Sequence, residues 1–167
     1  MSSLPSSTPD AAVAPGDFDF LIGRWRVAHR RLRQRLAGCT EWDHFTGTTQ
    51  AWPLMAGFAN VDDNGLDLPG GAYRAISLRA WNPATRQWAI WWLDGRHPHQ
   101  LDVPVVGGFS DGVGRFHADD LLDGRPIRVR FLWSDITASR CRWQQAFSAD
   151  GGQTWETNWV MDLTRLG

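Results

Sequence analysis

From residue 24 onward apolar and polar residues tend to alternate, in blocks of about eight to twelve residues broken by Gly, Asp, Asn or Pro. That period and spacing belong to short antiparallel strands. Strands are expected near 24–36, 41–52, 57–62, 72–82, 87–94, 103–109, 113–121, 125–134, 140–149 and 154–165, after a short turn or helix at 17–22. With many short strands and almost no helix, the simplest arrangement is all-β: an up-and-down antiparallel meander closed into a barrel, which leaves no unpaired edge. A two-sheet sandwich is the competing architecture.

Opposed residues of a hairpin share a face, so turn positions predict which side chains meet. A first turn centred on Gly38 and Cys39 sets Trp25 against Trp52, His29 against Thr48 and Arg33 against His44. The turn NPATRQ sets Trp81 against Trp88 and Ser77 against Trp92. In the last two hairpins Phe131, Trp143 and Trp159 fall side by side, with Phe147 beside Trp155. One face of these three strands is then an aromatic wall. The other carries Arg130, Gln144 and Asn158, and Arg128, Ala146 and Glu156, as a solvated ladder with an Arg128–Glu156 pair. A register error of one residue would invert the faces. An aromatic wall belongs inside a soluble barrel, where it either fills the core or lines a ligand cavity.

Composition narrows the chemistry. The chain has 167 residues and carries 11 Trp against 8 Phe and 1 Tyr. All 17 basic residues are Arg, which excludes a Schiff-base lysine and a phosphate-binding GxxxxGK loop. A net charge of −1 offers no field for nucleic acid or a membrane surface. The length suits one domain, expected over 16–167 after a disordered Ser/Pro/Ala leader at 1–15. That leader lacks the basic start and apolar run of a signal peptide, so a cytoplasmic location is expected. Cys39 and Cys141 stand far apart with no metal-ligand spacing, as ordinary reduced thiols do.

Gly23, Arg24 and Trp25 form the GxW that opens lipocalin-like (calycin) barrels. The segments FDFLIGRW, YRAISLRAWNPATRQWAIWW, PVVGGF, GRPIRVRFLWSDIT and RWQQAFSADGGQTWETNWVMDLTR together resemble an uncharacterised bacterial family of such barrels. The resemblance covers nearly everything after residue 16 and implies a fold and a lumen, without an activity. It also implies that Trp25 plugs the closed end beneath an Arg, a role for which Arg165 is placed. Ser148, Asp150, Gly152 and Trp155 resemble the Asp-box hairpin of sialidase propellers. Here the motif occurs once, without a blade repeat, and reads as a structural turn.

No HExxH or Cys/His cluster fixes a metal among His29, His44, His97, His99 and His117, and no cofactor is called for. Asp94 to His99 reads as a surface loop, and His117 with Asp119 and Asp120 as a strand edge or an acid/base pair. His29 and Arg31 share the parity of Trp25 and so point to the lumen, as hydrogen-bonded core or as polar anchors for a ligand. The leading expectation is a noncatalytic barrel binding a small apolar or aromatic molecule through Trp25, Trp52, Phe131, Trp143 and Trp159, with His29 or Arg31 as anchor. The alternatives are an isomerase, cyclase or hydrolase with a His29 or His117 base, a haem carrier with His29 as axial ligand, and a filled-core interaction module. The strand WAIWWLDG is apolar on both faces, which expects an external cover: the Phe18 and Phe20 segment, or a second copy in a homodimer rather than a monomer.

Overall fold

The computed structural model describes residues 12–167, so most of the expected leader, residues 1–11, lies outside the described residues. A 3-10 turn, Asp19–Leu21, leads into ten strands: β1 (Gly23–Leu32), β2 (Trp42–Leu54), β3 (Ala59–Leu66), β4 (Tyr73–Asn82), β5 (Gln87–Asp94), β6 (Val105–Ser110), β7 (Val113–Leu122), β8 (Arg125–Ser134), β9 (Arg140–Ser148) and β10 (Glu156–Arg165). Each pairs antiparallel with its sequence neighbours, and β1 pairs with β10 to close the barrel. The tight hairpins follow turn chemistry: Asp111 and Gly112 join β6 to β7, and Asp123 and Gly124 join β7 to β8, all four at positive φ. Asp-Gly supplies that backbone with little strain and matches the right-handed twist of the flanking strands.

The β4–β5 register is as expected, with Trp81 opposite Trp88 and Ser77 opposite Trp92. The β1–β2 register is not. Trp25 faces Thr49 and His29 faces Phe45, a three-residue offset that turns Trp52 to the outer surface, where it is 42% exposed. The cause is a wide loop centred nearer Ala37: the Arg33 N–H bonds the Glu41 carbonyl, and the Leu36 N–H donates to Glu156 Oε1 at 2.7 Å. Because the offset is odd, it exchanges the faces of β2.

The last two hairpins are offset by two residues, which preserves the faces. Trp143 is opposite Trp133 on one side and Met161 on the other, with Phe131 and Trp159 now diagonal neighbours at ring distances of 4.8 and 5.4 Å. A bulge between Thr157 and Trp159 then reverses the start of β10. Phe147 therefore meets Glu156 rather than Trp155. Glu156 caps the β1–β2 loop, Asn158 is fully buried and accepts a hydrogen bond from Gln145, and Arg128 is paired instead with Asp119 at 3.4 Å.

The N-terminal segment enters the barrel end. Phe18 packs edge-on to Trp88 and Phe109 and against Phe116, which corrects the expectation that it covers β5 from outside. At the same end Trp25 is completely buried, donates Nε1–H to the Leu21 carbonyl and lies 4.2 Å beneath the Arg165 guanidinium. Arg165 also donates to the Ile22 and Ala138 carbonyls. Gly23, at φ +124°, leaves room for it, since a Cβ there would sit 2.6 Å from Arg165 Nη1. Outside, Trp52, Val61, Leu78 and Trp91 form one cross-strand row, with Ile76 and Leu93 beside it. Ile76 and Leu78 are more than a third exposed.

Candidate functional site

The closed sheet gives the lumen two unlike walls. From β5, β8, β9 and β10 it receives Trp92, Phe131, Trp133, Trp143, Phe147 and Trp159, and from β2, β3 and β4 it receives Thr49, Asp62, Asn64, Ser77 and Arg79. Between them lies a cavity of about 350 Å³, within the size range of small-molecule sites. The aromatic wall is held edge to face, Trp143 on Trp159 and Trp159 on Trp92 at 5.8 Å, arrangements worth roughly 0.5–1.5 kcal/mol each beyond burial.

The polar wall is a hydrogen-bonded network. Asp62 and Arg79 form an ion pair with both side chains under 5% exposed. Asp62 Oδ1 accepts from Asn64 Nδ2 at 2.6 Å and from the Ser77 N–H at 3.0 Å, and Thr49 donates to Asn64 Oδ1 at 2.6 Å. Arg79 donates to Asn60 Oδ1 at 2.9 Å and lies over the Phe18 and Trp133 rings. A charge pair taken out of water persists only when its remaining lone pairs and protons find partners, and here most do. The sequence signal was the strand ANVDDNGL, whose alternate residues Asn60, Asp62 and Asn64 carry polar groups on the inner face. None of the four residues Asn60, Asp62, Asn64 and Arg79 was among the expected site residues.

At the open end Arg31, Arg35 and Arg96 meet Asp94 and Asp102. Arg31 donates to the Tyr73 hydroxyl at 3.0 Å and its guanidinium lies 4.5 Å from the Trp159 ring centre. Arg96 is bound to Asp94 at 2.7 Å and stacks on Tyr73. Asp102 is held above the usual carboxylate range by burial and by the charges of Asp120 and Asp94.

Of the expected site residues, Arg31, Phe131, Trp143 and Trp159 line this cavity, whereas Trp25 lies below it at the closed end and Trp52 lies outside the barrel. His29 sits behind the aromatic wall. Its Nδ1 accepts the Trp159 Nε1–H at 3.1 Å, its ring stacks on Phe45 at 4.5 Å, and its Nε2 faces the β2 backbone, where a Cβ on Gly47 would come within 2.8 Å. Burial first, and the nearby Arg31 second, lower its pKa to about 4, so the ring is neutral at pH 7. It orients Trp159 rather than facing a ligand. In this arrangement the Nδ1 lone pair is taken up by the Trp159 N–H, and His29 does not line the cavity.

His117 is on the outer face, 5.9 Å from the Trp155 ring, with its pKa lowered by burial and by Arg128 and Arg130. The Asp-box residues form a local turn: Ser148 donates to Asp150, the Gly152 N–H donates to Ser148 Oγ at 2.8 Å, and Trp155 donates to the Gly152 carbonyl. Among the described residues no three His, Cys, Asp or Glu side chains gather as a metal site.

No protein-family model matches this chain, and neither does a curated protein. Among solved structures, the S-type phycobiliprotein lyase CPES from Guillardia theta aligns with a TM-score of 0.57 at 10% identity, over 90% of each chain. At that identity the likeness shows a shared fold, a closed antiparallel β-barrel.

Proposed function

We propose that this protein binds one small aromatic or apolar molecule in the barrel lumen, and that it is a cytoplasmic member of the lipocalin-like family its segments resemble. The observation that carries the binding reading is the cavity of about 350 Å³ walled on one side by Trp92, Phe131, Trp143 and Trp159. Flat apolar faces and Trp N–H groups suit a planar ligand. The fold neighbour, a barrel of similar shape, is named for an action on a phycobiliprotein. Of the histidines, neither His29 nor His117 lines the lumen, whereas His97 does so at its mouth.

The neutral dye N-phenyl-1-naphthylamine tests this. Wild-type protein is expected to bind it saturably, one per barrel, with enhanced and blue-shifted emission. Trp92→Ala should weaken binding about tenfold, the loss expected when an aromatic contact is removed, while Trp52→Ala, on the outer face, leaves it unchanged. Failure to saturate, or an equal loss in both variants, would contradict a lumen site.

A further inference from the structure

At the open end of the lumen Arg96 is satisfied by Asp94. The same end carries two guanidiniums, Arg31 and Arg35, that make no direct ion pair among the described residues. Both instead lie over aromatic rings, Arg31 on Trp159 at 4.5 Å and Arg35 on Phe147 at 5.7 Å, and the Arg35 Nε–H is buried without a partner. Ring stacking strips water from a guanidinium and fixes its plane while leaving its N–H edge available. Arg31, Arg35 and Arg96 also line an outer vestibule of about 540 Å³, so they stand between solvent and the lumen.

We infer that this mouth is a carboxylate-binding site, and that the ligand is an aromatic monoacid held as its anion, with its ring against the Trp wall and its carboxylate on Arg31 and Arg35. This rests on the lumen being the binding site. The rim itself limits the charge: Arg31 and Arg35 are its guanidiniums without an ion-pair partner, Asp120 acts on Asp102, and the mouth is lined by the carboxylates of Asp94 and Asp102. A dianion would meet those two carboxylates. The planar fork of an Arg matches a carboxylate with two parallel hydrogen bonds, and such charge-assisted bonds are about twice as strong as neutral ones. Arg35 is pulled down to about 10 by burial, then by the charges of Arg31 and Arg96, which is the cost a bound anion would relieve.

The test uses two ligands of the same shape, 2-naphthoate and 2-naphthamide, titrated calorimetrically at pH 7 into the wild-type chain. Naphthoate is expected to bind at least about tenfold more tightly. In Arg35→Gln, and separately in Arg31→Gln, that preference should fall to less than about threefold while naphthamide affinity is kept. The preference should also shrink with added salt. Arg35 lies in a loop, so its variant keeps the test decisive even where Arg31→Gln disturbs Trp159. Equal affinity of the two ligands, or a preference that survives in Arg35→Gln, would overturn the carboxylate site and leave the lumen reading standing. Binding of neither ligand would overturn the lumen reading, and the inference with it.

Discussion

Replacing Arg79 with methionine is expected to lower the free energy of unfolding by about 3–5 kcal/mol, the cost of leaving one member of a buried ion pair alone. Asp62, 3% exposed, would keep its hydrogen bonds from Asn64 and the Ser77 N–H but lose the guanidinium paired with it. For a domain whose total stability is about 5–15 kcal/mol, that loss is large enough to read directly from urea unfolding at pH 7. The double variant Asp62→Leu with Arg79→Met should recover part of it, since an apolar pair carries no charge-desolvation cost but leaves the Ser77 N–H without its acceptor. An Arg79→Met protein within about 1 kcal/mol of wild type would show that the pair is solvated and the polar wall is not a closed network.

The second large effect is on pH dependence. His29 is 4% exposed and its pKa falls to about 4, against 6.5 for the ordinary imidazole. Between those values the unfolded chain binds a proton that the folded one refuses, so stability rises with pH across this window and is lost as the pH falls through it. The magnitude is on the order of 3 kcal/mol. Urea unfolding compared at pH 7 and pH 4 measures it, and His29→Asn, which keeps an acceptor for the Trp159 N–H, should flatten the slope. An unchanged slope in that variant would place the titration elsewhere.

Much of the barrel was legible in the sequence because its hairpins announce themselves. Asp-Gly pairs at 111–112 and 123–124 and the NPATRQ turn fix strand ends and, for β4–β5, the register. The β1–β2 register was not legible, because the loop between them is wide and is positioned by Glu156, a residue 120 positions further on. For that reason Trp52 lies on the outer face rather than opposite Trp25. Likewise, no local pattern announces the bulge at Asn158 that turns Trp155 outward. Parity brought Phe131, Trp143 and Trp159 to the lumen, and Arg31 with them. Parity alone could not tell that His29 lies behind Trp159 rather than beside a ligand, since that depends on side-chain packing across the β1–β10 seam. The polar wall was written in the alternate residues of ANVDDNGL, but its meaning required β4 to supply Arg79 opposite.

A crystal structure of the protein soaked with N-phenyl-1-naphthylamine distinguishes binding in the lumen from binding on the outer surface. The naphthalene ring is expected in the cavity, against Trp92, Trp143 and Trp159. Dye seated instead on the outer apolar row at Leu78 and Trp91, with the lumen closed by its own side chains, would contradict a lumen site.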